Sequence, residues 1–151
     1  GRYAVDQGIV ETKEPETKVS IQCPCGMVIA YVTTSDGQPS RVRFESVPAF
    51  AFALDKTIAT SQYGPINVDI GYGGAFYAVV PADQFGLDVR TSQTSDLVHS
   101  AAAVSDAVKE QVPLYHPDDD DLAYLYGTIL TDGCDEFSKT PSANICVFAN
   151  R

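Results

Sequence analysis

Basic side chains are scarce in this sequence. Ten Lys and Arg stand against twenty Asp and Glu, giving a formal net charge of −10 and a pI near 4.4. Only Arg41 and Arg43 form a close arginine pair, so a phosphate-backbone partner or an anionic membrane surface is not expected. No apolar run approaches the roughly 18 residues of a spanning helix. The N-terminus lacks a basic, apolar, small-residue leader, and the chain reads as soluble, without an address and cytoplasmic. The four cysteines, Cys23, Cys25, Cys134 and Cys146, are too few and too irregular for a disulfide scaffold. Cys23-Pro-Cys25 is a CxC, and no second pair has zinc-site spacing, so reduced thiols and no metal are expected. G-x-S-x-G, H-E-x-x-H, G-x-G-x-x-G and Walker A motifs are all missing.

What is present suits one ordinary domain, or one large piece of a longer protein: 151 residues, 44% of them hydrophobic. The chain is organised around Val68–Val80, where two apolar strand patterns flank Gly71, Gly73 and Gly74. Glycines there mark either a tight bulge in a sheet or a bend against which a ligand comes close. A phosphate loop is disfavoured, because no Lys-Ser/Thr follows and no helix starts behind the glycines.

Before this stretch, residues 1–10 read as the tail of a helix ending at Gly8, as though earlier turns had been cut away. Lys18–Ile21 and Met27–Thr33 predict a hairpin, and Asp36-Gly37 a second turn. Arg41–Phe44 and Ser46–Phe50 read as continued strand, with the arginines out and Val42 and Phe44 in. Ala51–Thr60 fits either a strand end or a helical turn, and Gln62–Asn67 reads as a turn.

After Val80, Pro81-Ala82-Asp83 opens a short helical turn closed by Gly86. Leu97, Val98, Ala101, Val104, Ala107, Val108 and Val112 recur at three- and four-residue spacing, predicting one amphipathic helix over about 95–112, capped by Ser95 and stopped by Pro113. Leu122–Thr131 and Asn144–Phe148 read as strands around a polar loop. Many short strands with few helices predict an α+β domain with a mixed or antiparallel sheet.

Candidate polar sites are weak. His116 beside Asp118–Asp121 could be taken for a metal site, but four consecutive carboxylates do not project to one point, and a solvated loop is the better reading. His99 reads as a surface residue of the helix rather than a base.

The segment Val-Asp-Ile-Gly-Tyr-Gly-Gly-Ala-Phe-Tyr-Ala-Val-Val at 68–80 strongly resembles the proline racemase family. Val19–Val28, Arg43–Phe50, Tyr115–Pro117 and Leu122–Leu130 resemble further segments of it, so the likeness runs through roughly 1–151. Leu125–Gly133 and 144–151 look most like the animal branch that dehydrates trans-3-hydroxy-L-proline. The resemblance implies a diaminopimelate epimerase-like fold of two lobes, each a mixed sheet curled round a helix. Residues 1–45 would then supply the end of a first-lobe helix and first-lobe strands. Residues 46–151 would supply a second lobe lacking its central catalytic helix, incomplete as given and with an exposed apolar sheet face.

The family's catalytic motifs, M-C-G-H and D-R-S-P-[CT]-G-[ST]-G, are absent here, so none of the four cysteines is assigned to catalysis and the chain alone is expected to be inactive. The resemblance further implies cofactor-independent chemistry on a small imino acid. A thiolate removes the Cα proton, and a partner Thr marks loss of the C3 hydroxyl, whereas a second Cys marks racemisation or epimerisation. Tyr72, Gly73, Gly74 and Phe76 are the implied substrate-pocket wall. Bacterial epimerases of the family often carry His in the strand matching Tyr124–Ile129, and Tyr126-Gly127 here favours the dehydrating branch. A homodimer is a possible assembly. A noncatalytic binding domain of the same fold is the alternative from another class.

Overall fold

The computed structural model describes residues 1–134 and 141–149. The chain divides into two compact units, Gly1–Pro48 and Ala49–Arg151.

The first unit is a short helix α1 (Arg2–Asp6) and an antiparallel sheet in the order β1-β2-β3, with β1 at Glu16–Cys23, β2 at Gly26–Ser35 and β3 at Gln38–Glu45. Gly8, at φ +62°, follows the helix as the sequence predicts. Both hairpins also fall where expected. Cys23 pairs with Gly26 across Pro24-Cys25. Asp36 and Gly37 take φ 52° and 72°, the two left-handed residues of a tight turn whose twist suits its strands. Val5 packs with Val19, Ala30 and Val32 as the core.

Val42 and Phe44 depart from expectation. They pair with Val32 and Ala30, so they stand on the core-facing side of the sheet. They are nonetheless 41% and 68% exposed. Helix α1 packs on β3 but spans only five residues, too few to cover both side chains. The strand also stops at Glu45, and 46–49 form an irregular link rather than strand. Pro48, without an N–H, suits such a break.

The second unit is a mixed five-stranded sheet in the order β4-β5-β6-β7-β8: Phe50–Thr60, Gly64–Tyr72, Phe76–Pro81, Leu125–Thr131 and Asn144–Phe148. All of Ala51–Thr60 is strand, which settles the ambiguous segment. The turn before β5 is confined to 61–63, and Gly64 already pairs with Thr60. Neighbours are antiparallel except β6 and β7, which run parallel. A parallel pair needs a crossover, and helix α2 (Thr94–Gln111) provides it.

Helix α2 begins one residue earlier than predicted, with Gln93 rather than Ser95 at the cap. The Ser95 hydroxyl instead lies 3.4 Å from the Asp96 carboxylate. The helix ends at Gln111, two residues before Pro113, because a residue preceding proline is pushed toward extended backbone; Val112 has φ −120° and ψ 107°. Leu97, Ala101, Val104 and Val108 bury one helical face, which packs on β7 and β4. On the sheet side Ile58, Ile66, Val68, Ile70, Ala78, Val80 and Leu130 complete this core. Inside it the Ser105 and Thr128 hydroxyls meet at 2.8 Å, each satisfying the other.

Two glutamines close open backbone. Gln111 accepts from the Ala59 N–H at 2.9 Å and donates to its carbonyl at 2.7 Å, standing in for a neighbour along edge strand β4. Gln84 does the same for Asn67 at 3.0 and 2.8 Å.

Candidate functional site

The central glycines form neither a bulge nor a phosphate loop. Tyr72 pairs directly with Phe76, so Gly73, Gly74 and Ala75 are a three-residue hairpin turn joining β5 to β6. Gly74 has φ +105°, which a residue bearing Cβ rarely adopts.

Of the implied wall residues, Gly73 is exposed and Gly74 half-buried at the turn. Tyr72 and Phe76 are 4% and 0% exposed. Their rings lie 4.9 Å apart and point toward the helix-covered side, where Phe50 stacks on Tyr72 at 5.2 Å and His116 approaches it at 4.6 Å. The structure therefore gathers Tyr72 and Phe76 into packing beneath the turn.

The next residue faces the other way, since successive strand side chains alternate. Tyr77 lies 5.7 Å from Tyr126, which is 5.4 Å from Phe148 and 6.2 Å from Tyr124. These rings belong to β6, β7, β8 and the approach to β7. Tyr124, Leu125, Tyr126, Phe148 and Ala149 line an open cavity of about 270 Å³. A second cavity, of about 570 Å³, adjoins it through Tyr124 and Leu125 and is otherwise lined by Lys109, Val112, Pro113, Leu114, Asp121 and Ala123.

A register change accompanies this aromatic face. Phe76 pairs with Leu125 and Tyr77 with Gly127, leaving Tyr126 as an extra residue in β7. Tyr126 follows Leu125, which is buried beside Phe76, so ordinary alternation turns it to the Tyr77 side; the bulge adds Gly127 to that same side before Thr128 returns to the helix-covered face. Gly127 permits the arrangement, because a Cβ there would lie 2.5 Å from the Val147 carbonyl oxygen. Burial pushes the Tyr77 phenol above its ordinary value, and the neighbouring Cys146 thiol and Tyr126 add to the effect. Such a surface offers ring faces to a small apolar ring and phenol hydroxyls to a polar substituent.

The remaining candidates fall elsewhere. His99 is exposed on α2. His116 Nδ1 accepts from the Asp118 N–H at 3.3 Å. In the acidic run, the Asp119 carboxylate accepts from the Asp121 N–H at 2.9 Å and so caps a single helical turn at Asp120–Leu122. Cys23 and Cys25 sit half-buried at a hairpin, and Cys134 and Cys146 are exposed. Part of the polar loop read at 132–142 lies outside the described residues.

Sequence reading missed Tyr77, Tyr126 and Phe148 as a group. The signal was the glycine directly after Tyr126 inside a strand pattern, which marks a bulge.

A mixed sheet crossed by one helix, with an aromatic face beside a glycine hairpin, defines an α+β domain. Its backbone superposes on a probable proline racemase from Agrobacterium radiobacter with a TM-score of 0.84 and 31% identity, over 97% of this chain and 42% of that one. Residues 1–151 match the proline racemase family model, and the chain belongs to that family. It is 61% identical over 150 residues to a trans-L-3-hydroxyproline dehydratase of Xenopus tropicalis, covering 99% of this chain and 43% of the relative. It is 51% identical over 154 residues to the human trans-3-hydroxy-L-proline dehydratase, covering 44% of it. The chain thus spans less than half the length of the curated relatives it matches.

Proposed function

We propose that the whole protein dehydrates trans-3-hydroxy-L-proline without a cofactor, and that this chain is its central part. The observation that carries this reading is 61% identity, through nearly the whole chain, to a protein named for that reaction. In the reaction a thiolate removes the Cα proton, the C3–O bond breaks with loss of water, and the new double bond tautomerises to the cyclic imine. The thiolate and its Thr partner belong to motifs that this sequence does not contain, and 1–151 alone is inactive. In the two-lobe reading, residues 1–45 belong to the first lobe and 46–151 to the second, whose central catalytic helix lies in the rest of the protein.

The pocket wall in this reading is built on the β5–β6 hairpin. Gly73 and Gly74 form its rim, while Tyr72 and Phe76 hold the rim from beneath through the Phe50 and His116 rings. Tyr77, Tyr126 and Phe148 present ring faces to the pyrrolidine. Free thiols support a reducing, cytoplasmic location. No helix among the described residues is long and apolar enough to cross a membrane, and the net charge of −10 disfavours nucleic acid. Phe148, 63% exposed at one end of the aromatic face, fits cover by a second copy in a homodimer or by a further segment of the protein.

Racemisation or epimerisation is the second reading, favoured by the structural match to a probable proline racemase. Incubating the full-length protein with trans-3-hydroxy-L-proline in deuterium oxide separates the two. The cyclic imine should accumulate; Cα-deuterated substrate or its epimer with no imine would mean the second reading.

A further inference from the structure

We propose that Tyr126 is a specificity-determining residue whose phenol hydrogen-bonds the ring hydroxyl of the substrate, an inference that rests on the reading of the whole protein as acting on a hydroxylated cyclic imino acid. Two independent features of the second unit lead to it. The bulge in β7 is the first. It keeps Tyr126 and Gly127 together on the Tyr77 side of the sheet, and it requires glycine at 127, where any Cβ would strike the Val147 carbonyl. A bulge costs ladder pairing, and bulges recur next to functional sites. The second is the cavity of about 270 Å³ on the side to which Tyr126 is turned.

The surroundings give the ligand its chemistry. Phe148 supplies an apolar ring, and the Tyr77 phenol is more buried, with the Cys146 thiol as its hydrogen-bond neighbour. Tyr126 remains 38% exposed at the cavity. A small puckered ring with one hydroxyl substituent matches this set: ring faces for the carbons and one phenol for the hydroxyl. A site built to hydrogen-bond a substrate hydroxyl discriminates against the analogue lacking it, because its polar group is then left unpaired.

The test is Tyr126→Phe in the full-length protein, which keeps the ring and its packing and removes one oxygen. For trans-3-hydroxy-L-proline, kcat/KM should fall about 10- to 100-fold, the scale of one lost hydrogen bond to substrate. Competitive inhibition by L-proline, which has no ring hydroxyl, should be unchanged or tighter, and the melting temperature should stay within about 2 °C of the parent. An active parent whose Tyr126→Phe variant keeps kcat/KM within twofold overturns the role of Tyr126 alone. So does equal loss for L-proline, which would make Tyr126 a packing residue. A parent inert toward hydroxylated cyclic imino acids overturns the functional reading, and this proposal with it.

Discussion

Gly127 and Asp132 lie near opposite ends of β7, and each fixes a local geometry that no neighbour could supply. Replacing Gly127 by Ala puts a methyl group 2.5 Å from the Val147 carbonyl, so β7 and β8 must separate locally. Backbone cannot rotate aside as a flexible side chain does. A destabilisation of about 1–3 kcal/mol is expected, typical of overpacking, and chemical denaturation of the Gly127→Ala variant measures it. Asp132 closes the β7–β8 loop. Its carboxylate accepts from the Ala143 N–H at 2.7 Å and the Cys134 N–H at 3.1 Å, and pairs with Arg90 at 3.0 Å. The Ala143 bond leads in holding this carboxyl below its ordinary value of 3.8. The folded state therefore binds this proton less readily than the unfolded chain does. Stability from Asp132 is present in full above the ordinary carboxylate range, and is lost as pH falls through the lowered folded value. Asp132→Asn should melt lower than the parent at pH 7, and the gap should narrow in acid.

At the scale of elements, the glutamine side chains and the helix–sheet hydroxyl pair are the features most open to test. Gln111→Ala removes both bonds to Ala59 at the rim of β4. A loss of about 1 kcal/mol is expected, with faster hydrogen exchange at the Ala59 amide as the specific readout. Ser105→Ala strands the Thr128 hydroxyl in a closed interior and should cost about 1–3 kcal/mol. Ser105→Ala combined with Thr128→Val should recover part of that loss in a double-mutant cycle.

The elements differ in how legible they were. Helix α2, the two hairpins of the first unit and the helical turn closed by Gly86 follow from periodicity and turn chemistry held within a few residues. Strand β4 was obscured because its register slips between Ala51 and Ala53 and again before Lys56. These irregularities break the alternation by which a strand is recognised, and Asp55 at φ +49° accompanies them. The aromatic face was hidden for another reason. Tyr77 and Tyr126 are far apart in sequence, and only the parallel pairing of β6 with β7 places them together. Tyr72 and Phe76 were legible as apolar strand residues, but the side of the sheet they face depends on where α2 docks.

For the molecule as a whole, burial is unevenly shared. The second unit buries α2 against five strands, whereas the core of the first consists of Val5, Val19, Ala30 and Val32 with a few partly buried neighbours. Residues 49–151 expressed alone should therefore give a cooperative thermal transition with a helical circular dichroism signal. Residues 1–48 alone should not, because so short a chain removes too little apolar surface from water to offset its lost conformational freedom.

The parallel pairing of β6 with β7 also bears on the order of events in time. The β4–β5 and β5–β6 ladders close across tight turns and can form early. The β6–β7 ladder must wait until everything between Pro81 and Leu125, helix included, has been drawn together. Closing so wide a loop before its contacts reward it slows folding. Conservative truncations along β6 and β7 should then lower the refolding rate, and so should equally destabilising truncations near the β4–β5 turn, whose contacts are already made when that loop closes. The same crossover that brings Tyr77 beside Tyr126 would thereby govern how quickly a newly made chain acquires that surface.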